Sequence, residues 1–238
     1  MTAPLAPRDA TELAGIVRDA QAAGTRLRFT AAGTWAGAGT PAGRIAPDAR
    51  PVSLTGLAGV VAYVPADLTM TVRAGTTLAE LDAATARHNQ WCPLLPWGDD
   101  SATVGATFAT ATSGPCAAAL GRPRDIAVGV QFVDGTGMIV RGGGRVVKNV
   151  AGFDLTRLMV GAFGTLGAIT EVSLRLRARP AVDVTLLVTA SGPDAAAGLA
   201  SIRRGTIAPL ACELLDGATA RSEEHTSELQ SPYVISYA

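Results

Sequence analysis

Beyond Gly167 the chain alternates. Val172, Leu174 and Leu176 fall on one side, and Ser173, Arg175 and Arg177 on the other, the period of a strand with one buried face. Near the start, Asp9 with Glu12 three residues on precedes Leu13, Ile16, Val17 and Ala20, which share one helical face behind a capping-box signature. The same signature returns at Thr77 with Glu80, followed by Leu78, Leu81 and Ala84. Arg26–Thr30 reads as a strand. Gly59–Val64 and Thr69–Arg73 read as two more, joined by the turn Pro65-Ala-Asp-Leu68. Val128–Val140 predicts a hairpin around Asp134-Gly-Thr-Gly137, and Asp154–Val160 a short helix capped by Asp154. After Pro180 the pattern restarts with a strand over Val182–Val188 and a helix over Pro193–Ile202, which places a boundary near Pro180. From Gln90 to Arg124 small residues dominate without a period. Irregular stretches of that length are functional or disordered, and Trp91, Leu94, Leu95, Trp97, Val104 and Phe108 argue for the ordered, functional kind.

Composition narrows the classes. The 238 residues are enough for one or two domains, apolar residues make up 48%, and no uninterrupted apolar run reaches membrane-spanning length. The first residues lack the basic-then-apolar order of a secretory signal. A formal net charge of zero argues against nucleic acid or an anionic membrane as partner. Cys92, Cys116 and Cys212 stand far apart and form no metal or redox pair, so a cytoplasmic, reduced protein is expected, with no metal site and no direct membrane insertion. Lys148 is the single lysine against nineteen arginines. Its compact ammonium inside a glycine-rich segment is either selected or a chance survivor of a GC-rich coding background.

The last eighteen residues break the style of the chain. Arg221–Ala238 has four serines and no glycine, and Arg221–Ser231 resembles an in-frame translation of a common sequencing adapter. Residues 221–238 are therefore read as a non-native tail, with His225 excluded from any site. The natural frame is expected to continue past Ala220, which would make 181–220 the start of a truncated domain. An unfinished sheet would leave an exposed edge and apolar surface, so poor solubility is expected of the literal chain.

Three segments of glycine and small residues each follow a strand or open a helix: Ala31–Gly37, Ser101–Gly114 and Gly161–Ile169. In the last, Gly161, Gly164 and Gly167 recur every third residue. Such loops offer backbone N–H donors to phosphate oxygens without bulky side chains in the way. G-x-G-x-x-G and P-loop patterns are both absent, which weakens readings as an NAD or ATP protein.

The order Lys148-Asn-Val-Ala-Gly-Phe-Asp-Leu155, then Gly164-Thr-Leu-Gly-Ala-Ile-Thr-Glu-Val172, resembles the PCMH-type FAD-binding fold of the vanillyl-alcohol oxidase family. Tyr63–Gly75, Ala102–Gly105, Ser113–Pro115 and Arg124-Asp125 fall in the family's order, so the resemblance covers about residues 8–180. Within that family the likeness is to the FAD-binding subunits of bacterial glycolate oxidases. It implies an α+β fold: a PCMH-type FAD-binding domain over 1–180, of two α/β subdomains at about 1–57 and 58–180, followed by the start of an incomplete cap domain at 181–220.

The resemblance further implies FAD, and with no histidine or cysteine in the three loops non-covalent binding is expected. Ala32, Gly33, Thr34, Trp35, Ala36 and Gly37 would form the pyrophosphate loop. Pro96, Thr103, Val104 and Gly105 would hold the ribityl and pyrophosphate region. Ala109, Ser113 and Gly114 would line the flavin, and Ile169 would touch it through its backbone. Ala109 and Ile169 also read as plain core residues, and Trp35 and Trp97 as either cofactor neighbours or packing. Arg124-Asp125 is expected to form a structural ion pair. Two departures stand out: Ala31-Ala32 and Ala106 occupy positions where the family has glycine, and a Cβ at a positive φ would cost about 1 kcal/mol.

His88, at the end of the second helix, is read as solvent-facing or complementing the helix dipole. Nothing else nominates a base, so no catalytic residue is assigned. The implied activity is oxidation of glycolate, a small 2-hydroxy acid, with a flavin-bearing sister subunit and an iron–sulfur subunit as partners. A stand-alone FAD oxidoreductase for another hydroxy acid or polyol, and a non-catalytic scaffold subunit, are the alternatives.

Overall fold

The structure, a computed structural model, describes residues 3–35, 48–96, 98–144, 153–185, 192–206, 208–213 and 236–237. Ala36, Gly37, Trp97, Lys148 and residues 186–188 lie outside the described residues, as does most of the 221–238 tail.

Helix α1 (Ala10–Ala22) begins where its cap predicts. Asp9 Oδ1 accepts the N–H groups of Thr11 and Glu12, both at 2.8 Å. The capping box is offset by one residue, because the Glu12 carboxylate accepts from Arg8 N–H at 2.8 Å and not from the cap residue itself. Leu13, Ala14, Val17 and Ala20 are buried along the inner face. Strand β1 (Leu27–Thr30) pairs in parallel with β2 (Arg50–Ser53), a strand the sequence pattern does not predict. Leu5 is stitched to the far side of β2, donating to Pro51 O and accepting from Ser53 N–H. Leu13, Ala14 and Val17 then pack with Val52, Leu57, Val133 and Ala168 in one core cluster.

Among the described residues a five-stranded antiparallel sheet carries the rest of this unit. Its order is β3 (Val60–Val64), β4 (Thr69–Arg73), β8 (Gly167–Arg175), β6 (Ala127–Asp134), β7 (Ile139–Gly143). A single 3-10 turn over Pro65–Asp67 joins β3 to β4, and Leu68 takes φ 53° to complete it. The alternation that marks β8 holds: Val172, Leu174 and Leu176 are buried, while Arg175 and Arg177 are exposed. With Met70, Val72, Val130 and Phe132 from neighbouring strands they form the main core. Helix α2 (Leu78–Ala86) adds Leu81 to it, behind a complete capping box in which Thr77 Oγ1 accepts Glu80 N–H (3.1 Å) and Glu80 Oε2 accepts Thr77 N–H (2.8 Å).

Residues 90–124, expected to be irregular, are so only in part. They contain a two-residue strand β5 (Gln90–Trp91) and two helices, α3 (Val104–Thr110) and α4 (Ala117–Leu120), and a third, α5 (Pro123–Ile126), opens at their end. These helices span at most two turns, and α3 and α4 are built largely of Ala, Thr and Gly, so no apolar period betrays them. Asp125 also departs from expectation. Its Oδ2 accepts Arg122 N–H at 3.0 Å, capping α5, and no ion pair with Arg124 forms. Asp154 caps α6 (Leu155–Met159) as predicted, accepting Arg157 N–H at 2.9 Å.

Two compact units emerge from the packing, the first spanning 1–113 and 122–178 and the second 114–121 and 179–238. In the second, β10 (Val184–Thr185) pairs with β11 (Ser236–Tyr237), and α7 covers Gly192–Arg204. No described helix is long and apolar enough to cross a membrane.

Two packing details yield tests. A Cβ on Gly105 would stand 2.5 Å from Ala74 Cβ and 2.8 Å from Ala74 O, so Gly105→Ala is expected to lower unfolding stability by about 1–3 kcal/mol in urea titration. Asp134 Oδ1 gathers Thr136 Oγ1 at 2.7 Å and the N–H groups of Thr136 and Met138 at 2.9 Å each. These bonds, the Thr136 hydroxyl first, hold its carboxyl below the usual aspartate range. A depressed folded pKa stabilises fully above the unfolded value of about 4 and is lost as pH falls through the folded value. The stability gap between wild type and Asp134→Ala should therefore close on acidification below about pH 4.

Candidate cofactor site

The end of β4 is the joint on which the site is assembled. Ala74 N–H donates to Thr170 O on β8 (2.8 Å), and Gly75 N–H to Leu57 O (2.6 Å). Ala74 O and Thr76 O in turn accept the first N–H groups of α3, Gly105 at 2.7 Å and Val104 at 2.9 Å. Thr103 is the N-cap, fully buried, its Oγ1 accepting Ala106 N–H at 3.4 Å. The glycine at 105 is thus explained by contact with Ala74, and its N–H is committed within the protein.

At its other end α3 meets the loop between α6 and β8. Gly161 N–H donates to Phe108 O (3.0 Å) and Phe163 N–H to Ala109 O (2.8 Å), satisfying carbonyls that a helix end leaves open. Two non-glycine residues hold left-handed backbone there, Ala111 (φ 54°) and Phe163 (φ 51°), each at a cost of about 1–2 kcal/mol. Strain collected at one contact is a mark of functional loops.

The first loop completes the arrangement. It leaves β1 at Thr30 and turns at Gly33, which takes φ 86° with open space where a Cβ would sit. Ala32, Gly33 and Thr34 are exposed. Among the described residues, no N–H from Ala31 to Trp35 has a backbone acceptor. The Trp35 ring lies against Gly98, its Cη2 3.4 Å from where a Cβ would project, and the Trp35 indole nitrogen is buried without a hydrogen-bond partner. Phe29, two residues before the loop, reaches within 3.7 Å of the corresponding point on Gly164. The described parts of the second and third small-residue segments therefore meet, at Phe108–Ala111 and Gly161–Phe163, and the strand that leads into the first approaches the third at Phe29 and Gly164. Trp35 and Gly98 add the turn after Pro96.

The predicted residues divide by environment. Pro96, Thr103, Val104, Gly105 and Ile169 are buried, and Ile169 packs its side chain in the main core, cross-strand from Phe132. Ala109 and Ser113 are half-buried. Gly114 belongs to the second unit, where its carbonyl accepts Ala117 N–H. Ala74, Thr76 and Phe29 were not singled out in the sequence; only the glycines they touch, Gly105 and Gly164, point to them.

The two alanine departures prove harmless to the backbone. Neither Ala31, Ala32 nor Ala106 has positive φ, so the strain expected of them is absent. Ala106 sits inside α3, where a Cβ is favoured.

Other candidates for chemistry fall away. His88 is exposed beyond α2 and meets the edge of Tyr63, ring centroids 5.1 Å apart. Burial pushes the Cys92 thiol up to about 12, and Cys116 is raised by burial and then by the charges of Asp183 and Glu213, so neither offers a thiolate at neutral pH. A cavity of about 540 Å³ opens elsewhere, beside Asp9, Arg73, Gln131, Arg141, Thr170 and Glu171, and no candidate cofactor residue lines it. Its two arginines are balanced by two carboxylates. The Gln131 amide, oriented to donate to Thr170 Oγ1 at 2.8 Å, accepts from Arg141 Nε at 2.8 Å.

N–H groups on an exposed glycine turn with no backbone acceptor among the described residues, beside a buried indole N–H likewise unpaired among them, fit an anionic ligand rich in oxygen, as a dinucleotide pyrophosphate is. Comparison with known proteins agrees. The glycolate oxidase subunit GlcE of Escherichia coli is 41% identical over 130 residues, 54% of this chain and 37% of that protein. The glycolate oxidase subunit GlcD of Bacillus subtilis is 36% identical over 154 residues, 64% of this chain and 33% of that protein. The chain thus spans about a third of the length of these relatives. A solved alkyldihydroxyacetonephosphate synthase superposes with a TM-score of 0.69 at 21% identity, over 87% of this chain and 38% of that one, a likeness of fold. The model of the FAD binding domain matches residues 2–143, more than half of the chain, and this protein belongs to that family, with FAD as its cofactor.

Proposed function

We propose that this chain is the FAD-bearing part of a cytoplasmic oxidoreductase that converts glycolate to glyoxylate as one subunit of a larger complex. The observation that supports the reading is the docking of the second small-residue loop on the third, with β1 leading the first toward them, in a chain similar to two glycolate oxidase subunits from different bacteria. FAD, when bound, supplies the acceptor for the two electrons that leave the substrate's hydroxyl-bearing carbon.

The chain's own contribution is to hold and orient. The backbone of Ala32–Gly37 serves the pyrophosphate, with Gly33 giving the turn and Trp35 the neighbouring wall. Pro96 and Thr103–Gly105 form a rigid floor, since Val104 and Gly105 are already tied to Thr76 and Ala74. Ala109, Ser113 and Gly114 face the flavin, and the Ile169 backbone touches the cofactor while its side chain anchors β8 in the core. No base or carboxylate-binding cation is assigned here. We place both in the remainder of the full-length protein, beyond an FAD-binding domain of about 1–180 with subdomains near 1–57 and 58–180. In this reading 181–220 begins the cap, the tail from Arg221 is foreign to it, and electrons pass to a partner subunit carrying an iron–sulfur cluster.

Denaturing the purified 238-residue chain and measuring released flavin tests the core of this reading. About one FAD per chain is expected, with an absorbance spectrum of the intact protein typical of bound oxidised flavin. A folded sample without flavin, and unable to take up added FAD, would remove the cofactor assignment. Anaerobic bleaching of the flavin by glycolate, in the chain joined to its full-length remainder, tests the substrate.

A further inference from the structure

A buried tryptophan nearly always finds an acceptor for its indole N–H, because leaving that donor dry and unpaired costs about 1–3 kcal/mol. Trp35 does not. Among the described residues its Nε1 has no partner and is sealed from solvent, although the residue as a whole is only half-buried. The ring lies beside Gly98 and follows Gly33 by two residues, on a turn whose N–H groups from Ala31 to Trp35 have no backbone acceptor among the described residues. The ring faces Gly98 with Cη2 and Cζ3, the edge away from Nε1, so that contact does not use the N–H.

We infer that the Trp35 indole N–H is a side-chain donor to a pyrophosphate oxygen of FAD, in parallel with the backbone donors of the same turn. The unpaired donor is then a binding residue waiting for its acceptor, which makes Trp35 a determinant of affinity in addition to a wall. This rests on the FAD assignment proposed above and extends it to one atom. Glycine turns bind a pyrophosphate through the main chain alone; here a side chain projecting from the turn adds a charge-assisted bond, stronger than one between neutral groups.

The test compares the full chain with Trp35→Phe, which keeps an aromatic side chain and removes the donor together with the outer ring edge that faces Gly98. After FAD is stripped, FAD is titrated back by flavin fluorescence and calorimetry. Loss of a hydrogen bond to a charged group predicts about 10- to 100-fold weaker FAD binding by Trp35→Phe. An affinity within twofold of wild type, in a variant with unchanged circular dichroism, would overturn the inference while leaving the FAD assignment intact. Should the variant not fold, the wild-type protein decides. Labelled with 15N at the indoles of its three tryptophans, it should show the Trp35 signal moving downfield when FAD is added. ADP, which carries the diphosphate, should reproduce the shift, and adenosine should not. Three indole signals all indifferent to saturating FAD would overturn the inference. A folded wild-type chain that binds no FAD would instead bring down the cofactor assignment, and this inference with it.

Discussion

Ala74, Gly75 and Thr76 follow β4 and carry hydrogen bonds to several separate pieces of chain: Thr170 on β8, Leu57 in the segment after β2, Gly59 ahead of β3, and the start of α3. The geometry leaves no spare volume. A Cβ on Gly75 would run into the carbonyl oxygens of Leu54, Thr55 and Leu57, and one on Gly105 would run into Ala74. The strap can be this crowded because its own N–H and C=O groups are used across the crossing. Remove a hydrogen bond here and the start of α3 loses its register against the sheet. With it would go the far end of α3, where Gly161 and Phe163 dock. The second and third cofactor loops are thus held by a rigid backbone crossing deeper in the unit and by their own docking at the end of α3.

Much of this was legible in the sequence where a short-range rule has a direct physical cause. Asp9, Thr77 and Asp154 announce helix starts because an open N–H needs an oxygen, and a side chain a residue or so away supplies it. Strand β8 was visible because burial on one face writes a period of two, and the hairpin because Asp134-Gly-Thr-Gly137 is a strong turn signal. The misses share a different cause. β2 contains Pro51 and is only four residues long, and it exists because β1 and Leu5 flank it, which no local pattern encodes. The short helices α3 and α4 are stabilised by docking, so their Ala- and Thr-rich sequences look like loop, and α5 is a single turn too short to show a period.

The candidate site was legible as segments and opaque as geometry. Which glycines matter, and why, depends on partners far away in sequence. Gly105 is there for Ala74, and Gly161 lies against Ala111. The Arg124-Asp125 pair looked ionic from adjacency, yet the cap of α5 claims the carboxylate first. The indole of Trp35 could not be known to lack a partner until the fold closed around it.

The distribution of backbone angles sets what drift this chain can absorb. Glycine and alanine codons differ by one nucleotide, so exchange between them is among the commonest steps open to an alanine-rich coding sequence. At 32 and 106 that step is free of backbone strain, and alanine occupies both. At 33, 161, 164 and 167 the same step would force a Cβ into left-handed or still less favourable backbone, and at 105 into a neighbour. Neutral change is therefore channelled away from a few positions by conformation alone, before any demand from the cofactor is counted. A lineage can lose much of a glycine-rich signature and keep the turns that made it useful.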